Sequence, residues 1–146
     1  MPVIVVGADT EPGAAIVDRL YDPEREIRVF VSDERHGLEL KDRGIKVAIG
    51  DVSDESHVEA ASLRCFSAVL IAEAATDTRE RSFADTRQSV LQGWAQAVSN
   101  SRVRRVIWVL AGEPPETKVN EVATVDPGDP DLATRVFELD EASSLE

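Results

Sequence analysis

Apolar residues fall along this chain in two alternating patterns. Short, nearly continuous apolar runs occupy "PVIVVG" (2–7), "EIRVFVS" (26–32), "IKVAIG" (45–50), "FSAVLIA" (66–72) and "RRVIWVLAG" (104–112). Runs of that length and evenness predict strands buried on both faces of a sheet. Between them, apolar residues recur at helical spacing. Over 11–21, Ile16, Val17 and Leu20 share one face, with Thr10 placed to cap the helix and Pro12 tolerated in its first turn. Residues 36–44 predict a short helix closed by Gly44, and 55–64 a helix capped by Asp54. The longest helix is expected over about 80–100, where Val90, Leu91, Trp94, Ala97 and Val98 form one apolar stripe. Strands separated by helices imply βαβ units and a mainly parallel, doubly wound sheet with strand order 3-2-1-4-5.

The pattern changes after Gly112. "EPPETK" reads as a linker, 121–125 as a candidate sixth, edge strand, and 131–143 as a closing helix with Leu132, Val136 and Leu139 inward. Residues 113–146 hold ten acids and two bases, so most of the net charge of −12 sits there. The expectation is one domain over 1–146, with a core over 1–112 and an acidic, solvated extension over 113–146. No basic footprint for nucleic acid is visible. No apolar run has the length to cross a bilayer, and "MPVIVVGADT" lacks the basic start of a signal peptide. With Cys65 the single cysteine, a cytoplasmic setting is expected.

The first strand runs into "GADTEPG", Gly7 to Gly13, and then into the first helix. In a dinucleotide fold the first glycine of such a loop makes the tight turn, the middle one lets amides approach the pyrophosphate, and the last lets the helix pack on the strand. The helix N-terminus adds unpaired amides and a positive dipole end. Gly7 and Gly13 keep the outer roles, whereas Thr10 stands at the middle position, its hydroxyl suited either to a phosphate or to a cap. Ala8, Asp9, Glu11 and Pro12 complete the candidate phosphate loop. Strand, loop and helix together make the expected fold a Rossmann-like three-layer α/β domain of five to six strands.

Over residues 2–112 the chain resembles the atypical short-chain dehydrogenase/reductases, in particular their NmrA-like and epimerase-like NAD(P)-binding domains. The family's loop is GxxGxxG, matched by Gly7 and Gly13 and not by Thr10. The resemblance implies a cofactor selector at the end of strand two, where "VFVSDER" places Asp33 and, nearby, Arg35. Asp33 favours NAD over NADP, since a carboxylate holds ribose hydroxyls and repels a 2′-phosphate. Capping of the next helix explains Asp33 equally well. The resemblance also implies adenine contacts from Asp51 and Val52 in "IGDVSD", and nicotinamide-side contacts around Ala72 in "LIAEAA". In that family the long helix often pairs in a dimer, so Val90, Leu91, Trp94 and Val98 are candidates for a homodimer surface.

The same resemblance implies a Tyr-x-x-x-Lys pair for proton transfer. The single tyrosine is Tyr21 and position 25 is Arg25, while none of Lys41, Lys46 and Lys118 follows a tyrosine at that spacing. Strand five ends in Leu110 and Ala111 rather than serine. Glu73 and Glu113 are the remaining ionisable groups near the strand tips. His36 and His57 have no partner at metal-ligand spacing. His57 is expected on a helix surface, Cys65 as a small buried apolar residue, and Trp94 and Trp108 in the core or an interface. Asp126, Asp129 and Asp131 read as turn formers. These residues point first to a non-catalytic or regulatory NAD(P)-binding domain with no catalytic or metal-ligating residue. The alternatives are an interaction module that has lost its nucleotide and an oxidoreductase with an unusual proton donor.

Overall fold

All residues of β1 (Val3–Val6), β4 (Ser67–Ile71) and β5 (Arg105–Val109) are buried; β1 is apolar throughout, and β4 and β5 are apolar after their first residues, Ser67 and Arg105. They form the centre of one sheet with β2 (Ile27–Val31), β3 (Lys46–Ile49) and β6 (Glu121–Val125). The order is β3-β2-β1-β4-β5-β6 and every neighbouring pair is parallel. The edge strands are less covered, with Ile49 and Val122 exposed. The computed structural model describes residues 1–76 and 83–145.

Helices cover both faces. α1 (Glu11–Leu20), α2 (Glu34–Asp42) and α5 (Leu132–Glu141) lie on one side, where Ile16, Val17, Leu40 and Val136 pack with Val5, Val29, Val69 and Ile107. α3 (Glu55–Ser62) and α4 (Arg87–Asn100) lie on the other, where Val58, Trp94 and Val98 pack with Ile4, Phe30, Leu70 and Trp108. Alternate side chains of each central strand feed the two layers, as the period of two demands.

Several sequence expectations need correction. α4 starts at Arg87 rather than near residue 80; Thr86 caps it by accepting from Ser89 N at 3.1 Å. Residues 80–82 of the expected helix lie outside the described residues. α2 starts at Glu34 because Asp33 caps it. Val90, Leu91, Trp94 and Val98 are all buried within the fold, so the helix stripe offers no exposed apolar surface for a dimer. α4 is flanked by the sheet below and α3 beside it, which together cover the stripe. Both tryptophans are core residues with satisfied ring nitrogens: Trp94 Nε1 donates to Val52 O at 2.7 Å and Trp108 Nε1 to Thr117 Oγ1 at 3.0 Å. His57 is half-buried, edge-on to Phe30 with ring centres 4.9 Å apart.

The acidic segment after Gly112 is built into the domain instead of hanging from it. Arg105 is only 1% exposed. Its Nη1 donates to the carbonyls of Leu139, Asp140 and Ala142 at 2.9, 3.0 and 2.6 Å, closing the end of α5. Its Nε and Nη2 hold Glu121 Oε1 on β6 at 3.2 and 2.9 Å. A cation at a helix C-terminus is favoured by the helix dipole and satisfies carbonyls that the helix leaves unpaired. Arg25, at the end of the α1–β2 connection, adds ion pairs to Asp140 and Glu141. Asp126 and Asp129 are engaged in turns, accepting from Gly128 N at 2.7 Å and Asp131 N at 2.8 Å.

Candidate functional site

The parallel register brings the carboxyl ends of β1, β2 and β4 level, since Val6 pairs with both Phe30 and Leu70. From β1 the chain turns one way to α1 and β2, whereas β4 leads the other way to β5. The crevice at such a divide is where open α/β sheets bind ligands. Gly7 leaves β1 with φ +94°, a left-handed conformation that favours glycine, and a Cβ there would sit 3.0 Å from Ala74 Cβ. At Gly13 a Cβ would stand 2.1 Å from Gly7 O and 2.8 Å from Ala8 Cα. No other residue lets α1 start so close to the loop. The two outer glycines thus keep the first and third roles of the dinucleotide loop, and the cradle fits that use.

Thr10 settles which of its two uses the hydroxyl serves in this structure. It is 5% exposed, and Oγ1 donates to Gly7 O at 2.6 Å while accepting from Gly13 N at 3.1 Å. The hydroxyl is an N-cap, turned into the loop. That use occupies the Gly13 amide, and Pro12 has no amide proton to give. Glu11 adds an exposed carboxylate to the first turn. The α1 terminus therefore offers a phosphate fewer amides than a three-glycine loop would.

Asp9 performs a role that local pattern does not reveal. Its Oδ2 accepts from Ser32 N and Asp33 N, each at 3.0 Å, and from Ser32 Oγ at 3.3 Å. The loop after β1 is thereby fastened to the end of β2. Asp33 caps α2 through Arg35 N at 3.1 Å and remains exposed, with Glu34 beside it. The Arg35 side chain is 91% exposed, with its Nε 4.0 Å from Glu39 Oε1 one turn further along α2.

On the β3 side, Asp51 Oδ1 accepts from Ser53 N at 2.8 Å and Ser53 Oγ at 2.6 Å, and Ser53 Oγ accepts from Phe83 N at 3.0 Å. Phe83 is 66% exposed beside this turn. At Gly50 a Cβ would meet the His57 ring at 2.4 Å, so a larger residue there would displace that ring. Ala8 and Val52 are corrections to the expected contact set: both are fully buried and present no surface to a ligand. Ala8 is enclosed under α1, and Val52 packs in the layer that its carbonyl helps Trp94 to complete.

Above β4 and β5 lies a cleft of about 220 Å³, walled by Pro12, Ile71, Ala72, Glu73, Arg87 and Leu110 among others. A hollow of about 380 Å³ adjoins it across Pro12, Glu73 and Pro127, with Glu11 on its rim. Ala72 is among the residues lining the cleft, although it is only 3% exposed. Glu73 and Glu113 are exposed. Tyr21 lies at the far end of α1, where its hydroxyl donates to Arg43 O at 3.2 Å. Arg87, the first residue of α4, is the cation among the residues walling the two hollows and makes no hydrogen bond or ion pair among the described residues. No sequence motif marks it, because its place depends on where α4 starts. Among the described residues there is no group of three His, Cys, Asp or Glu suited to a metal ion, and no helix long and apolar enough to cross a membrane.

Solved structures share this architecture. An anaerobillin reductase from Escherichia coli matches over 100% of this chain and 93% of its own, with TM-score 0.73 and 14% identity. A short-chain dehydrogenase/reductase from Veillonella parvula matches over 98% and 88%, with TM-score 0.68 and 13% identity. The triphenylmethane reductase of Citrobacter sp., solved with NADP(H), matches over 75% of this chain at TM-score 0.61 and 17% identity, and the chain covers only 37% of it. At these identities the likeness is one of fold. No curated protein matches in sequence. A family model described as NAD(P)H-binding matches residues 7–127, from the first glycine of the loop to the turn after β6, and the chain belongs to that NAD(P)H-binding family.

Proposed function

We propose that this domain binds NAD(H) in preference to NADP(H). The observation that carries the reading is the Asp9 latch. It fixes one carboxylate at the carboxyl end of β2, where Asp33 and Glu34 follow, while the exposed Arg35 lies nearest Glu39. In this fold that strand end receives the adenosine ribose, whose free hydroxyls suit carboxylate acceptors and whose 2′-phosphate does not. A doubly charged phosphate placed beside these carboxylates is repelled. The neighbour solved with NADP(H) makes this a point of departure rather than of inheritance.

The test is calorimetric titration with NAD⁺, NADH, NADP⁺ and NADPH. NADH should bind more tightly than NADPH by roughly tenfold or more, a difference of about 1.4 kcal/mol or greater. Asp33→Ala should weaken NADH more than NADPH. Equal affinities, or tighter NADPH, would sink the proposal, and no binding by any of the four would favour an interaction module.

A second reading, a reductase, is favoured by the cleft floor. Ile71, Ala72, Val109 and Leu110 give an apolar surface over the sheet, with Glu73, Thr76 and Arg87 as its polar rim. The bound nicotinamide would supply hydride there. A cationic conjugated acceptor, of the kind the triphenylmethane reductase is named for, takes up hydride to give a neutral product with one new C–H bond. That step needs no proton, and hence no tyrosine–lysine pair. Bleaching of a cationic triphenylmethane dye by NADH and the protein supports this reading. A rate equal to that of NADH alone removes it and leaves the dinucleotide-holding role.

A further inference from the structure

We propose that Arg87 is the phosphate anchor of the cleft: its guanidinium, on the α4 bank, pairs with the dinucleotide pyrophosphate lying along the α1 bank opposite. The inference rests on the dinucleotide-binding reading above and adds a binding residue to it.

Three observations converge. The first is a deficit on the α1 bank. Thr10 Oγ1 holds the Gly13 amide, Pro12 has none, and the Glu11 carboxylate offsets the positive end of the helix. A pyrophosphate needs charge compensation that this terminus supplies poorly. The second is position. Arg87 and Pro12 wall the same cleft of about 220 Å³, which places the base of the Arg87 side chain within reach of the crevice that the loop borders. The third is that Arg87 does nothing evident for the fold. It is half-buried, it has no hydrogen-bond or ion-pair partner among the described residues, and it occupies the first turn of α4, where a cation opposes the helix dipole. A cation set against its local electrostatics at the wall of a cleft is placed for an anion. Arginine suits phosphate because its planar fork donates two parallel hydrogen bonds. The α4 N-terminus adds its own positive potential at the same point.

The experiment compares full-length wild type, Arg87→Gln and Arg87→Lys by calorimetry, with NADH, ADP-ribose and adenosine as probes at two salt concentrations. The expected result is a loss of roughly tenfold or more for NADH and ADP-ribose in Arg87→Gln, as for a charge-assisted hydrogen bond removed. Arg87→Lys should fall between, and adenosine, which carries no phosphate, should bind all three proteins alike. The salt dependence of NADH binding should become shallower in Arg87→Gln. The melting temperature of Arg87→Gln should equal or exceed that of wild type, since an unpaired cation leaves the start of the helix.

If wild type binds NADH and Arg87→Gln binds it within about twofold, the anchor is refuted while the dinucleotide reading stands. A marked drop in melting temperature, or an equal loss of adenosine affinity, would likewise refute it by showing a structural role. If wild type binds neither NADH nor ADP-ribose, the dinucleotide reading itself fails and the anchor falls with it.

Discussion

Replacing Thr10 by valine removes one hydroxyl and keeps the shape of the side chain. The site is a demanding one, because Oγ1 serves two partners inside a nearly closed loop: it donates to Gly7 O at 2.6 Å and accepts from Gly13 N at 3.1 Å. The two losses differ in weight. Gly7 O also accepts from Thr10 N at 3.1 Å, so it keeps a partner in the variant. The buried Gly13 amide has no such reserve, because it lies at the third position of α1, where helices have no internal acceptor. Loss of an N-cap costs about 0.5–2 kcal/mol, and an orphaned buried donor about 1–3 kcal/mol. These describe largely the same event, so they overlap rather than add. A cost of about 2 kcal/mol is expected, equivalent to roughly 4–8 °C in melting temperature for a domain of this size. Urea denaturation with a constant m value would measure it. Thr10→Ser, which keeps the hydroxyl, should lose less than about 1 kcal/mol, chiefly for its missing methyl group. A valine variant as stable as wild type, within about 0.3 kcal/mol, would refute the reasoning, since it would mean that the Gly13 amide finds water or another acceptor at no cost.

Two further predictions concern the C-terminal clamp and the thiol. Glu121 is held below its ordinary pKa by the Leu145 amide first and the Arg105 guanidinium second. A carboxyl depressed in the folded state stabilises the fold above its unfolded pKa and loses that stabilisation as pH falls through the folded value. Urea midpoints should therefore decline below about pH 4.5, more steeply in wild type than in Glu121→Gln, and a pH-independent difference between the two would contradict the clamp. Cys65 is 5% exposed and burial pushes its thiol up to about 11. It should react with an aromatic disulfide reagent at pH 8 only as fast as the protein unfolds, and rapid native-state labelling would show the site to be open.

Much of the architecture was legible because strand and helix signals are local. The apolar runs at Val3–Val6, Ala68–Ile71 and Val106–Val109 could be read directly as strands buried on both faces, and the expected order extends to the sixth strand. The outer glycines were legible too, since their roles follow from one loop. What escaped depends on distant parts of the chain meeting. Asp9 acquires its function from amides 23 and 24 residues away, and Arg105 from carbonyls more than thirty residues on. The α4 stripe is correct as a periodicity, but whether sheet or solvent faces it is a tertiary question, answered by α3 and the sheet together. Arg87 was missed for a related reason: a helix drawn from residue 80 places it mid-helix, whereas the Thr86 cap places it at the rim of the cleft.

The Arg105 clamp also orders events in time. The guanidinium lies on an internal strand, yet its acceptors are Glu121 and the carbonyls of Leu139, Asp140 and Ala142. During vectorial synthesis, β5 emerges from the ribosome before any of them does. Until they arrive, docking β5 into the sheet encloses an uncompensated positive charge, which is costly in a medium of low polarisability. The segment carrying β1–β4 can collapse early, but the last helix must be made before the fifth strand is comfortable in its place. A chain truncated anywhere between residues 110 and 139 is thus a species with a frayed sheet edge, the form most open to chaperones and proteases.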